Sequence, residues 1–193
     1  MAALPTAHRI ATSACKLLES EGAEAVTMRR VAEAVGITPM AIYRHYPDRS
    51  ALLNALADRG FDDLVAAVSA TRLPAELEAR LIAILNVYLD YALAHPRLFE
   101  LMFLKPRPGA RKFPRDFKAG RSPTANVTVA LLQEAMDRGQ IRRDDPWEIM
   151  FALGALIEGM IMLYLGGRFE GGAAKFRALV RRSIRRYFHG MGR

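Results

Sequence analysis

Between Thr38 and Arg49 the chain reads TPMAIYRHYPDR, and three consecutive side chains there, Tyr43, Arg44 and His45, are a phenol, a guanidinium and an imidazole. Each donates hydrogen bonds, and together they suit phosphate oxygens and the acceptor edges of bases. Thr27 and Thr38 each stand just ahead of a helical run, where an N-cap belongs. A helix start of this kind presents free N–H groups and the positive end of a dipole, which favours phosphate. Other chemistry is poorly supplied. His8, His45, His95 and His189 are scattered and Cys15 is the single cysteine, so neither a metal-ligand spacing nor a disulfide emerges. There is no glycine loop ending in Gly-Lys-Ser/Thr and no G-x-S-x-G elbow, and GGRFEGG (166–172) reads as a turn. No catalytic residue, metal or cofactor is expected, so an enzyme is the rival class without support.

The donors need a scaffold, and nearly every segment has helical period. Residues 6–21 align Ile10, Ala14, Leu17 and Leu18 and stop at Gly22. A second helix follows Thr27, with Val26 and Val31 spaced as a hydrophobic staple, and ends at Gly36. The pattern then repeats: Thr38 caps, Pro39 fills the first helical position, and Ile37 with Ile42 forms another staple. Pro47 forces Tyr46 out of helical conformation, so the third helix is only a turn or two long, and Asp48 caps a fourth. Two helices joined by a tight Gly-containing turn, the second short, make a helix-turn-helix, whose second helix enters the major groove by its N-terminal residues. The same staples and caps would also serve a helical hairpin that only packs, with Tyr46 in its core and Arg30 and Glu33 in solvent.

Residues 8–57, above all VTMRRVAEAVGITPMAIYRHYPDRSALLNAL, resemble the N-terminal domain of the TetR (tetracycline-repressor) family of transcriptional regulators. The run Tyr43–Tyr46, Tyr-x-His-aromatic with a basic residue three positions on, is its most specific part. The resemblance implies an all-α fold, with a three-helix DNA-binding domain over 1–57 and a helical ligand-binding and dimerisation domain over 58–193. It implies phosphate contacts from Thr27 and Arg29, base edges faced by Thr38, Pro39 and Met40, and contacts to backbone or base from Tyr43, Arg44 and His45. Arg49 would pin a phosphate, standing where the family usually has lysine. Pro39 and Met40 offer mostly apolar readout, suited to thymine methyls. The implied partners are double-stranded operator DNA, a second copy of the chain joined through the last two long helices, and a small-molecule effector of unknown identity.

Beyond residue 70 the pattern continues with helices expected at 77–94, 98–104, 124–139, 146–165 and 173–188. From residue 60 on the likeness to the family is one of length and architecture alone. Lys105–Ser122 reads as a basic, mobile Pro/Gly loop. Tyr88, Tyr91, Phe99, Met102, Phe103, Met150, Phe151, Met160 and Tyr164 are candidates for an adaptable effector pocket, although the same residues at helical spacing also make ordinary core. Ile149–Gly167 is long enough for a membrane span, but Glu158 lies at its centre, and Gly154, Ala155 and Gly159 suit a closely packed bundle helix. No membrane is expected as a partner. Glu158 either orients a ligand or is satisfied by an arginine or a backbone group.

Charge adds little to the DNA reading. The net charge is +8, yet residues 1–60 hold 7 basic and 6 acidic residues, so the excess lies elsewhere. It sits in Lys105–Arg121, with 7 basic and 1 acidic, and in Lys175–Arg193, with 7 basic and none acidic. The arginines of the last helix would face an anionic surface, solvent, or acids such as Asp144, Asp145 and Glu148. One cysteine and an N-terminus without an unbroken apolar run fit a cytoplasmic protein. A helical adaptor whose hairpin only packs is the remaining alternative.

Overall fold

The structure, a computed structural model, describes residues 5–190. Met1–Leu4, where the targeting-signal reading begins, and Met191–Arg193, with the last cation of the basic tail, lie outside the described residues. All regular structure among the described residues is helical: α1 (Thr6–Glu21), α2 (Met28–Val35), α3 (Pro39–Tyr43), α4 (Arg49–Ala70), α5 (Leu77–Ala94), α6 (Pro96–Phe99), α7 (Arg115–Lys118), α8 (Pro123–Asp137), α9 (Pro146–Leu165) and α10 (Gly172–Gly190). A 3-10 turn (Ala23–Ala25) precedes α2, and a π turn (Glu100–Leu104) continues α6.

The chain forms two compact units. The first runs up to Asp62 and takes in Ala94–Ala110. Its core holds Ile10, Ala14 and Leu18 of α1, Val26, Val31 of α2, Ile42 of α3 and Leu52 and Leu56 of α4. Both residues of the first staple and Ile42 of the second are fully buried, because each closes the entry of a helix whose other face is wet. The segment from Ala94 docks on the same unit: Glu19 accepts the Leu98 N–H at 3.2 Å, and Arg107 donates to Asn54 Oδ1 at 3.0 Å. Phe103 lies between Phe61 and Phe99, with ring centroids 5.1 and 4.6 Å away.

The second unit is built from Asp63–Leu93 and the residues from Arg111 on. Leu77 and Leu81 of α5, Leu131, Leu132 and Met136 of α8, and Ile149 and Met150 of α9 form its core. α10 buries Phe176, Val180 and Ile184 at four-residue spacing. Its arginines do not meet Asp144, Asp145 or Glu148. Arg182 and Arg186 are exposed, as a solvent-facing set would be, and the others cross to α5: Arg177 pairs with Asp90, Arg181 donates to Asn86 Oδ1 at 3.3 Å, and Arg185 donates to Glu78 Oε1 at 2.8 Å. Spacing on α10 alone could not have shown which helix it would lie against.

Lys105–Ser122, expected as a loop throughout, contains α7 and a fixed centre. Asp116 is only 6% exposed, and its carboxylate accepts from Arg115, Arg121 and the Lys112 N–H. The hydrogen bond from Arg115, then that from the Lys112 amide, hold its pKa down at about 2. The single acid of the run therefore gathers the surrounding cations.

Candidate nucleic-acid interface

Thr27 and Thr38 both cap as their positions demand. Thr27 Oγ1 accepts the Arg30 N–H and Thr38 Oγ1 accepts the Ala41 N–H, each at 3.3 Å. Each cap is worth about 1 kcal/mol. With the lone pair so used, each hydroxyl proton remains for an outside acceptor. Gly36 ends α2 in the left-handed region at φ 73°, and the Ile37 N–H reaches back to the Ala32 carbonyl at 3.0 Å. Arg9 closes the same end, donating to the Val35 carbonyl at 2.7 Å.

α3 is about a turn and a half long, as its capping signals imply. It ends at Tyr43, and the N–H groups of His45 and Tyr46 both fold back to the Ile42 carbonyl at 2.8 and 2.9 Å. Arg44 and His45 therefore sit on the turn after the helix. Pro47 follows, and Asp48 Oδ1 accepts the Ala51 N–H at 2.7 Å to start α4. Tyr46 is half-buried, its hydroxyl 3.5 Å from the Ala7 carbonyl, and burial raises its pKa. It packs rather than protrudes.

The exposed side chains of this hairpin include Arg29 on α2 and Thr38, Pro39, Met40, Tyr43, Arg44 and His45 along α3 and its turn, with Arg30, Glu33 and Ala34 of α2. Met40 is 70% exposed and Tyr43 48%, large apolar surfaces that the fold itself does not use. Arg29 and Arg44 have no hydrogen bond or ion pair with any described residue. Arg30, by contrast, is engaged. Its two terminal nitrogens grip the Glu21 carboxylate at 2.7 and 2.9 Å, and that bond lowers the pKa of Glu21 and raises its own.

Arg49 is placed differently from a simple phosphate pin. Nε donates to the Val26 carbonyl at 2.8 Å and Nη2 to the Ala23 carbonyl at 2.6 Å, leaving Nη1. The residue type gave no hint of this, since the acceptors are backbone groups 23 and 26 residues away.

The pocket candidates divide. Phe99, Met102 and Phe103 belong to the first unit, where Met102 is buried. Tyr88, Tyr91, Met150, Phe151, Glu158, Met160 and Tyr164 belong to the second. Met150 is core, Tyr164 stacks on Phe176 with centroids 4.4 Å apart, and Phe151, 46% exposed, stacks on Phe113 at 4.3 Å. Tyr88 donates to Glu158 Oε1 at 3.2 Å, and among the described residues no arginine or backbone group bonds that carboxylate. Burial pushes Glu158 up to about 7, against the opposing effect of the Tyr88 bond, and burial raises Tyr88 well above its ordinary value.

Comparison with known proteins agrees with this architecture. Residues 10–56 match the model of bacterial regulatory proteins of the tetR family, and residues 81–187, more than half of the chain, match the tetracyclin repressor-like C-terminal domain. The nucleoid occlusion factor SlmA of Glaesserella parasuis is 29% identical over 86 residues, 45% of this chain and 43% of that protein, so the match spans less than half of that relative. A protein of unknown function from Rhodococcus sp. RHA1 superposes with a TM-score of 0.83 at 28% identity, over 99% of this chain and 97% of its own. A TetR variant from Acinetobacter baumannii AYE in complex with minocycline shares the fold, with a TM-score of 0.69 at 17% identity over 97% and 96% of the two chains. A chain that is helical throughout its described regular structure, whose first unit carries a capped helix-turn-helix, and which matches both the N-terminal and the C-terminal model of this family, belongs to the TetR family of DNA-binding transcriptional regulators, proteins that regulate rather than catalyse.

Proposed function

We propose that the chain is a ligand-responsive repressor that binds a palindromic operator as a homodimer in the cytoplasm. The observation that carries this reading is the exposure of Arg44, without a partner among the described residues, on the turn that follows a helix capped by Thr38 and carrying exposed Met40 and Tyr43. Residues 1–57 would hold the DNA, with Thr27 and Arg29 on phosphates and Thr38, Pro39, Met40, Tyr43, Arg44 and His45 along the major groove. Arg49 would use its remaining Nη1 on a phosphate while its other nitrogens brace the hairpin. One short helix reads too few base pairs alone, so a twofold assembly on a palindrome follows.

Residues 58–193 would supply the dimer contact and the effector site. α9 supports the first: Met162, Leu163 and Leu165 are 51%, 55% and 39% exposed on a helix otherwise apolar enough, by length and composition, to cross a membrane. A second copy covering that face explains the exposure without a bilayer. An effector that prefers a dimer geometry with misplaced recognition helices would shift the population off DNA.

The test is selection of bound duplexes from a random pool at near-physiological salt. An enriched palindrome that disappears with Arg44→Ala or Tyr43→Ala supports the reading. Binding without enrichment that vanishes as salt rises overturns it.

A further inference from the structure

We propose that Glu158 anchors a ligand that carries a basic nitrogen on an apolar body, held beside α9 with Tyr88 orienting the carboxylate. The inference rests on reading the second unit as an effector domain and names the chemistry of its ligand.

The less exposed acids elsewhere in this unit that form ion pairs each have a named cation. Asp116 has Arg115 and Arg121, Asp145 has Lys118, Glu134 has Arg80 and Glu78 has Arg185. Glu158 differs from them: among the described residues it takes the Tyr88 hydroxyl and no Arg, Lys or His lies within ion-pair distance, and unlike Glu76, Asp144, Glu148 and Glu170, which also form no ion pair, it is not exposed. It is also the one ionisable carboxylate of Ile149–Gly167, where its neighbours are aliphatic, methionine or glycine. A partly buried carboxylate with no cation is costly to keep, whereas a glutamine of the same shape would accept the tyrosine hydrogen bond without that cost.

Two positions near the carboxylate on α9, Gly154 and Gly159, carry no side chain. Glu158 Oε1 lies 3.8 Å from where a Cβ on Gly154 would stand, and a Cβ on Gly159 would meet nothing within 4 Å. Tyr88 donates to one oxygen and leaves the other for a second donor. An alkylammonium supplies both the missing charge and that donor, while its carbon body suits the flanking apolar helix. Because burial holds the carboxyl near neutrality, at about 7, arrival of a cation at pH 7 also displaces a proton.

The experiment is calorimetric titration of the full chain at pH 7 with phenylbutylamine and with phenylbutanol as the neutral match, each in two buffers of different ionisation enthalpy. The amine is expected to bind at least about tenfold more tightly than the alcohol, the range of a charge-assisted hydrogen bond, and to release protons. Glu158→Gln, which keeps the shape of the side chain and so the fold, is expected to abolish both the preference and the release. Equal binding of the two probes, no amine binding, or a preference that survives Glu158→Gln overturns the proposal. Amine binding with that preference, but without effect on operator affinity, supports the site and overturns the effector reading instead.

Discussion

Arg49 holds the Val26 carbonyl at 2.8 Å, and through it the first turn of α4 is tied to the residue that enters α2. The guanidinium fork spans two carbonyls at once, which an ammonium cannot do. Arg49→Lys is therefore expected to cost about 1 to 2 kcal/mol in urea denaturation. It should also leave the salt dependence of DNA binding nearly unchanged, because the charge remains. Arg49→Ala should lose the same stability and in addition flatten the salt slope by about one ion.

Thr38 separates folding from recognition. Thr38→Ala removes the acceptor for the Ala41 N–H and should cost about 1 kcal/mol of stability. Thr38→Asp restores that acceptor and suits the helix dipole, yet places a carboxylate where DNA phosphates would lie. Denaturation midpoints should recover in Thr38→Asp while operator binding, read by fluorescence anisotropy, stays lost.

Asp116 should govern the acid behaviour of the 111–121 segment. Its folded pKa, about 2, lies below the ordinary 3.8, so its contribution is complete above about pH 4 and is lost as pH falls through 2. Asp116→Asn should release Arg115 and Arg121 at neutral pH. Limited trypsin digestion should then cut at those arginines faster than in the parent protein, and no change in cleavage rate would mean the anchor is idle.

Glu158 has the opposite sign. Its folded pKa, about 7, lies above the ordinary 4.5, so the folded state binds the extra proton. Stability is greatest below about pH 4.5 on this account and falls as pH rises through 7, by up to about 3 kcal/mol. Glu158→Gln should flatten the difference between urea midpoints at pH 5 and pH 8. A parent protein with equal midpoints would remove the basis of the prediction.

What the sequence made legible and what it hid follow from the range of the interactions. Thr27, Thr38 and Asp48 announce themselves because an N-cap is a residue type at a fixed offset from its acceptor, three residues on in each case. Gly36 is equally plain, since only a residue without Cβ takes φ 73° cheaply. The arginines were not legible. Arg30 finds Glu21, Arg49 finds carbonyls before α2, and Arg177 finds Asp90, all partners chosen by how elements pack and not by any local spacing. Glu158 was visible as an oddity in an apolar helix, but that Tyr88 on α5 would reach it required the packing of two helices 70 residues apart.

The contacts between α10 and α5 also read as a code. Rungs at Arg177, Arg181 and Arg185 meet Asp90, Asn86 and Glu78, so acid, amide and acid stand in order along α5. If α10 slid by one turn, Arg181 would face Asp90 and Arg185 would face Asn86, and Glu78 would lose its arginine. The true alignment thus keeps two arginine–acid pairs where the shifted one keeps a single pair. The ladder therefore disfavours a slide of one pitch, about 5.4 Å.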